Sequence, residues 1–146
     1  MAKEQLIKAL NKALEMEHAA RIQYLSHAEL VDGLGAEPVV ERLKEIAGDE
    51  KDHEEKFRRL VAILGGTPSM GLYTTHAAKG TKQILEVNLA GEKEAIDYYK
   101  TIMDLIKSSK DDLKYHYYTF EHEVRHVIKD EEEHVEEISL LLGIND

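Results

Sequence analysis

Asp49-Glu50-Lys51-Asp52-His53 and Asp130-Glu131-Glu132-Glu133-His134 spell the same Asp-Glu-x-x-His pattern in the two halves of a 146-residue chain. On a helix, Glu and His three positions apart lie on one face, so each segment presents a carboxylate and an imidazole together. Both pairs fall on the apolar stripe of their surroundings, where a helix meets its neighbours. A charged group there needs a compensating ion, and two such pairs point to a metal centre.

Outward from these segments, steps of three and four between apolar residues mark four long helices. The first carries Leu10, Leu14, Glu17, Arg21, Tyr24, Ala28 and Val31 on one stripe and ends at Asp32-Gly33-Leu34-Gly35. The second carries Val39, Leu43, Ile46, Glu50, His53, Phe57, Leu60 and Leu64, with Pro38 in its first turn and Gly65-Gly66 as its stop. The third runs through Leu85, Asn88, Glu92, Ala95, Ile96, Tyr99, Met103 and Ile106 before Ser108-Ser109 and Asp111-Asp112. The fourth runs from Tyr117 through Phe120, Val124, Val127, Ile128, Glu131, His134, Ile138 and Leu141 to Gly143. Helices of about 25 residues are about 38 Å long, the dimension of a long four-helix bundle. Short links make the first and second helices, and the third and fourth, antiparallel hairpins. The stretch from Gly65 to about Gly80 is long enough to run the length of the bundle, which sets helices two and three parallel. The expected fold is all-α, two antiparallel hairpins joined by one long crossover, in a single domain over residues 1–146.

Six residues interrupt these seams: Glu17, Glu50, His53, Glu92, Glu131 and His134. A lone Glu-x-x-His is common in Glu-rich helices and a lone inward Glu is usually a polar interruption. Two pairs in phase, each matched by a lone Glu on the partner helix, outweigh that structural account. Four carboxylates and two imidazoles suit Fe or Mn better than a closed zinc site, and four negative charges balance two divalent ions. On the third helix Glu92 shares the phase of Leu85, Ala95, Ile96 and Tyr99. Glu94 lies about 200° round the helix and faces away.

These residues resemble the ferritin-like di-iron carboxylate superfamily, and its bacterioferritin–rubrerythrin branch above all. Glu17 with Gln23-Tyr24 and His27-Ala28 is similar to the first-helix signature of bacterioferritins, and Asp49-Glu50 with His53 to the second. Ala90-Gly91-Glu92 resembles the third-helix segment, notably of rubrerythrins, and Ile128-Lys129-Asp130-Glu131-Glu132 with His134 the fourth. The resemblance implies that Glu50 and Glu131 bridge two irons, with Glu17 and His53 on one and Glu92 and His134 on the other. It implies that Asp49 and Asp130 fix imidazole tautomers across the bundle. Tyr24 is expected to hydrogen-bond a ligand, supply an electron, or simply fill the core; Tyr99 is expected to pack.

Departures from the family bear on function. The haem-ligating Met that follows the second-helix Glu in bacterioferritins is Lys51 here, so haem is not expected. The chain stops at Asp146 without the short fifth helix of cage-forming ferritins, which argues against a 24-subunit store. The stretch from Glu92 to Glu131 is longer than in bacterioferritins and leaves the turn between helices three and four open. Ala95 replaces the extra rubrerythrin glutamate, and no cysteine is present to build a rubredoxin-type domain.

Composition narrows the rest. The absence of cysteine excludes disulfides, thiolate iron–sulfur sites, zinc knuckles and thiol catalysis. A net charge of −10 opposes nucleic acid or an anionic membrane as partner and concentrates cations. With no signal-like or membrane-length apolar run, a soluble cytoplasmic protein is expected. His122-Glu123-Val124-Arg125-His126 spells a zinc-protease motif, but its histidines lie off the core stripe and read as a solvated face or a surface metal site. His18, His27, His76 and His116 read as surface or boundary residues. The expected activity is oxidation of Fe(II) by O2 or H2O2 at two Fe ions, with Mn or Mn/Fe as alternative metals. Rival activities are peroxide reduction with an external electron donor, oxidation of an organic substrate, and non-enzymatic iron binding. Assembly into a homodimer or larger homo-oligomer is expected.

Overall fold

The computed structural model describes residues 2–144. Four long helices, α1 (Ala2–Ala28), α2 (Ala36–Ile63), α3 (Thr81–Ser108) and α5 (Tyr117–Leu142), form the bundle. A one-turn helix α4 (Lys110–Leu113) and a 3-10 turn (Lys114–His116) connect α3 to α5. α1 packs along α2 and α3 along α5, with α1 against α3 and α2 against α5 closing the square.

The helix ends follow local chemistry. Gly35, at φ 75°, precedes α2, and Pro38 occupies the first turn, where its missing N–H costs no hydrogen bond. At the other end Gly65 turns left-handed at φ 82°. Its N–H bonds Ala62 O at 2.9 Å and the Gly66 N–H bonds Val61 O at 3.0 Å, which satisfies two terminal carbonyls. The first apolar stripe outlasts its helix: Val31 lies beyond Ala28, in the turn, and is still buried.

The crossover from Leu64 to Gly80 contains no helix and is fastened along α1 in ascending order. Asn11 donates to Thr67 O at 3.0 Å, Tyr73 N–H bonds Glu15 O at 3.1 Å, and His76 N–H bonds Gln23 Oε1 at 2.7 Å. It therefore climbs parallel to α1 and delivers the chain to the end of the bundle where α2 began. α2 and α3 run parallel for that reason.

The core is split in two. Leu10, Leu14, Phe57, Leu60, Tyr99, Ile102, Phe120 and Val124 form one apolar cluster, and Tyr24, Leu43, Ile46, Ile84, Leu85 and Ile138 belong to the other. On every long helix the two clusters are separated by the same kind of interruption: Glu17 on α1, Glu50 and His53 on α2, Glu92 on α3, Glu131 and His134 on α5. A buried polar layer thus crosses mid-bundle, clamped by apolar packing above and below. No helix of the described residues is long and apolar enough to cross a membrane.

Candidate metal centre

The six mid-bundle residues are almost wholly buried, from 0% exposure at Glu17 to 3% at Glu92. Each arrives there because its helix turns the apolar stripe, and whatever interrupts it, toward the bundle axis. Glu94 is exposed, its carboxylate 3.5 Å from the Tyr73 hydroxyl of the crossover.

The ligand atoms form two groups, Glu17, Glu50, His53 and Glu131 in one and Glu50, Glu92, Glu131 and His134 in the other. Within each group the atoms lie within 4.8 Å of one another. Glu50 and Glu131 belong to both. Glu50 Oε1 is 3.5 Å from His53 Nδ1 and 3.4 Å from His134 Nδ1, and Glu131 Oε1 is 3.3 Å from each. Glu17 Oε2 lies 3.5 Å from His53 Nδ1, and Glu92 Oε2 3.1 Å from His134 Nδ1. The arrangement is nearly two-fold, as the repeated motif requires.

The outer nitrogens of both imidazoles are held by aspartates from the opposite helix. His53 Nε2 meets Asp130 Oδ2 at 2.8 Å and His134 Nε2 meets Asp49 Oδ2 at 2.9 Å. Each Nε2–H donates outward, which turns Nδ1 inward. Tyrosine hydroxyls complete the layer: Tyr24 donates to Glu92 Oε1 at 2.9 Å and Tyr99 to Glu17 Oε1 at 2.7 Å. Tyr24 therefore serves the glutamate of α3, not Glu17 of its own stripe. Tyr99, expected only to pack, is a hydrogen-bond donor to the layer. The signal was present, since Tyr24 and Tyr99 each follow their lone Glu by seven residues, two helical turns.

Burial and charge together set unusual protonation. Desolvation and then repulsion from Glu131 push Glu92 up to about 8. Desolvation raises Glu17 and Glu50 as well, with Glu131 the next cause for both. Glu131 resists desolvation and is held low by the His134 and His53 imidazoles beside it. His134, despite desolvation that favours the neutral ring, is raised to about 11 by the neighbouring carboxylates of Glu131 and Glu92. His53 is raised too, against desolvation, first by the Glu17 charge. Tyr24 and Tyr99 sit well above the usual phenol range, chiefly through burial, and remain donors.

Glu17 Oε2, Glu50 Oε1, His53 Nδ1 and Glu131 Oε1 are buried without a hydrogen-bond partner among the described residues. Unpaired buried polar atoms are costly, and these four belong to the four residues of the first group. Oxygen and imidazole donors of this kind fit a pair of metal ions. A cavity of about 50 Å³ between α1, α3 and the crossover reaches Glu50, Glu92 and Glu131, large enough for a water-sized molecule.

Two histidines expected at the surface or boundary are buried and paired. His18 Nδ1 lies 2.8 Å from Gly71 O, and Arg58 Nη2 lies 2.9 Å from its Nε2. Beside it the buried Glu54, which sequence reasoning missed, is paired with Arg21 and Arg58. His27 accepts from Asn88 Nδ2 at 2.9 Å and donates through Nε2 to His76 O at 2.9 Å, while Gln23 Nε2 donates to Asn88 Oδ1 at 2.9 Å. Both histidines bind the crossover, whose course over α1 is invisible to a helical-periodicity argument. His76 and His116 are exposed, as are His122 and His126.

The ferritin-like domain matches residues 7–144. The chain belongs to the ferritin-like family. It is 31% identical over 106 residues to a bacterial ferritin of Neisseria meningitidis, covering 73% of this chain and 69% of that protein. A bacterioferritin of Rhodobacter capsulatus is 27% identical over 142 residues, covering 97% of this chain and 84% of the relative. Among solved structures, a ferritin-like di-iron carboxylate protein of Bacillus anthracis superposes with a TM-score of 0.90 at 25% identity, covering 97% of this chain and 98% of that one. The Rhodobacter capsulatus bacterioferritin, whose crystals have a metal-free dinuclear site and a haem iron, superposes with a TM-score of 0.86 at 26% identity over 96% of this chain and 84% of that one. The ferritin-like four-helix bundle read from the repeated motif is the fold these relatives share.

Proposed function

We propose that this protein is a single-domain cytoplasmic di-iron protein that oxidises Fe2+ with O2 or H2O2, in iron detoxification and defence against oxidants. The observation that carries the reading is that two buried four-residue ligand groups share Glu50 and Glu131, and that the four residues of the first each hold a buried polar atom without a hydrogen-bond partner. Glu17 with His53 would hold one ion, Glu92 with His134 the other, and Glu50 with Glu131 would span both. Two ferrous ions bound side by side supply together the electron pair that one peroxide molecule takes.

The remaining chemistry belongs to the chain. Paired carboxylates offset the charge of the ions and the further charge gained on oxidation. Asp49 and Asp130 keep the imidazole Nδ1 atoms facing inward. Tyr24 and Tyr99 orient Glu92 and Glu17 by donating to one oxygen of each, leaving the other for a metal. The apolar clusters on both sides exclude bulk water and confine reactive oxygen species to the layer. The small cavity beside Glu92 has room for an oxidant the size of O2 or H2O2. Lys51, an exposed ammonium in place of a thioether, supplies no haem ligand. Assembly at least to a homodimer is part of the same proposal.

The test is anaerobic loading with Fe2+ followed by rapid mixing with O2 or H2O2 while ferric absorption is recorded. Fast oxidation that saturates at two irons per chain supports the proposal. Iron that binds but oxidises no faster than in buffer identifies a metal-binding protein without this activity.

A further inference from the structure

On the outer face of α5, His122 and His126 stand one turn apart, both exposed, with ring centroids 5.4 Å apart. A tetrahedral ion with imidazole nitrogens at about 2.0–2.1 Å places two ring centroids roughly 5 Å apart. The rings already stand near chelating separation, on a rigid helix that fixes the distance. We propose that His122 and His126 form a second metal site, separate from the mid-bundle layer, that takes a borderline divalent cation of the Cu2+, Ni2+ or Zn2+ class. Two imidazoles without thiolate select that class, and affinity for such donors peaks at Cu2+. Water completes the coordination.

The surroundings favour a cation. Glu121 engages Arg125 at 2.8 Å, which offsets the guanidinium nearest His122. That guanidinium touches His122 Nδ1 at only 3.5 Å, through a side chain 57% exposed and free to swing aside. His126 also lines a cleft of about 480 Å³ between α2 and α5, whose carboxylates Asp49, Asp52, Glu55, Glu123 and Asp130 outnumber its cations Lys56 and Arg59. His122, His126 and Asp130 follow one another at four-residue steps on α5, and Asp130 accepts the hydrogen bond of His53. An ion on the histidine pair therefore stands, at His126, beside a cleft in which carboxylates outnumber cations. The site does not depend on the function proposed for the buried layer, because it shares no residue with it.

The experiment is Cu2+ titration of the full chain by calorimetry and electron paramagnetic resonance, against His122→Asn, His126→Asn and the double variant. The double variant should lose one bound equivalent and its two-nitrogen hyperfine pattern. Each single variant should weaken that equivalent tenfold or more, because two rings act as one chelate, while the metal-free melting temperature stays at the parent value. Glu50→Ala, which disables the buried layer, should keep the equivalent. Unchanged copper binding in the double variant, or less than tenfold weakening in the single ones, overturns the proposal.

Discussion

The hydroxyl of Tyr99 on α3 donates to Glu17 on α1 at 2.7 Å, while Tyr24 on α1 donates to Glu92 on α3 at 2.9 Å. The two bonds cross the bundle and relate the hairpins as near-copies. Each tyrosine anchors the lone glutamate of the other hairpin, so one carboxylate oxygen is fixed and the second is left to converge on the layer.

Tyr99→Phe should therefore loosen Glu17 without emptying core volume. A lost buried hydrogen bond to a carboxyl group costs about 1–3 kcal/mol, and Tyr24→Phe should cost a similar amount through Glu92. Chemical denaturation measures the loss. The two variants should weaken metal binding at different groups of the layer, which calorimetry separates. Equal stability of Tyr99→Phe and parent would show the hydroxyl to be a bystander.

Asp49 and Asp130 hold the imidazoles by their outer nitrogens. Asp130→Asn leaves the shape but removes the carboxylate that keeps His53 Nε2 protonated. Affinity at the group containing His53 should fall about 10–100-fold, and Asp49→Asn should do the same for His134. Glu94→Ala, at an exposed position, is the matched control and should leave binding unchanged.

How far the sequence carried this account depends on what periodicity can see. The inward phase of Glu17, Glu50, His53, Glu92, Glu131 and His134 was legible because each keeps the three-four rhythm of its apolar neighbours. The same rhythm separated Glu92 from Glu94. The tyrosine crossing was not read, since an aromatic on a core stripe packs whether or not its hydroxyl has a partner. His18 and His27 read as surface or boundary residues because their partners, Gly71 O and His76 O, belong to a crossover with no period. The turn between α3 and α5 carries no helical period either. It resolves into a one-turn helix, with Lys114 at a positive φ of 51° opening the 3-10 turn that leads into α5.

Stability of the metal-stripped protein should fall as pH rises. Glu92 is raised to about 8 and His134 to about 11, so their contributions are complete below the unfolded values of 4.5 and 6.5. They are lost as pH climbs through the folded values. Glu17, Glu50 and His53 are raised and act in the same direction. Glu131, held low, acts oppositely only in acid. Each extra proton on the folded state contributes a slope of about 1.4 kcal/mol per pH unit. Urea midpoints measured in chelator between pH 6 and 9 should decline, and metal uptake at pH 7 should release protons into a dilute indicator. A midpoint that rises over this range contradicts the assigned protonation.

Glycines separate backbone strain from packing. Gly48 lies within α2 with open space where a Cβ would stand, so Gly48→Ala should stabilise by about 0.5–1 kcal/mol. Gly65 also has open space, but at φ 82°, and Gly65→Ala should destabilise by about 1 kcal/mol or more. Thermal melts of the two variants should move in opposite directions.

The most direct measurement is equilibrium binding of Fe2+ under strict anaerobiosis, in parent, Glu50→Ala and Glu131→Ala. Because both glutamates belong to both ligand groups, the parent should bind two ions per chain at the layer and either substitution should disrupt the pair together. One ion per chain in the parent, or a variant that loses one ion and keeps the other at full affinity, would contradict a shared centre.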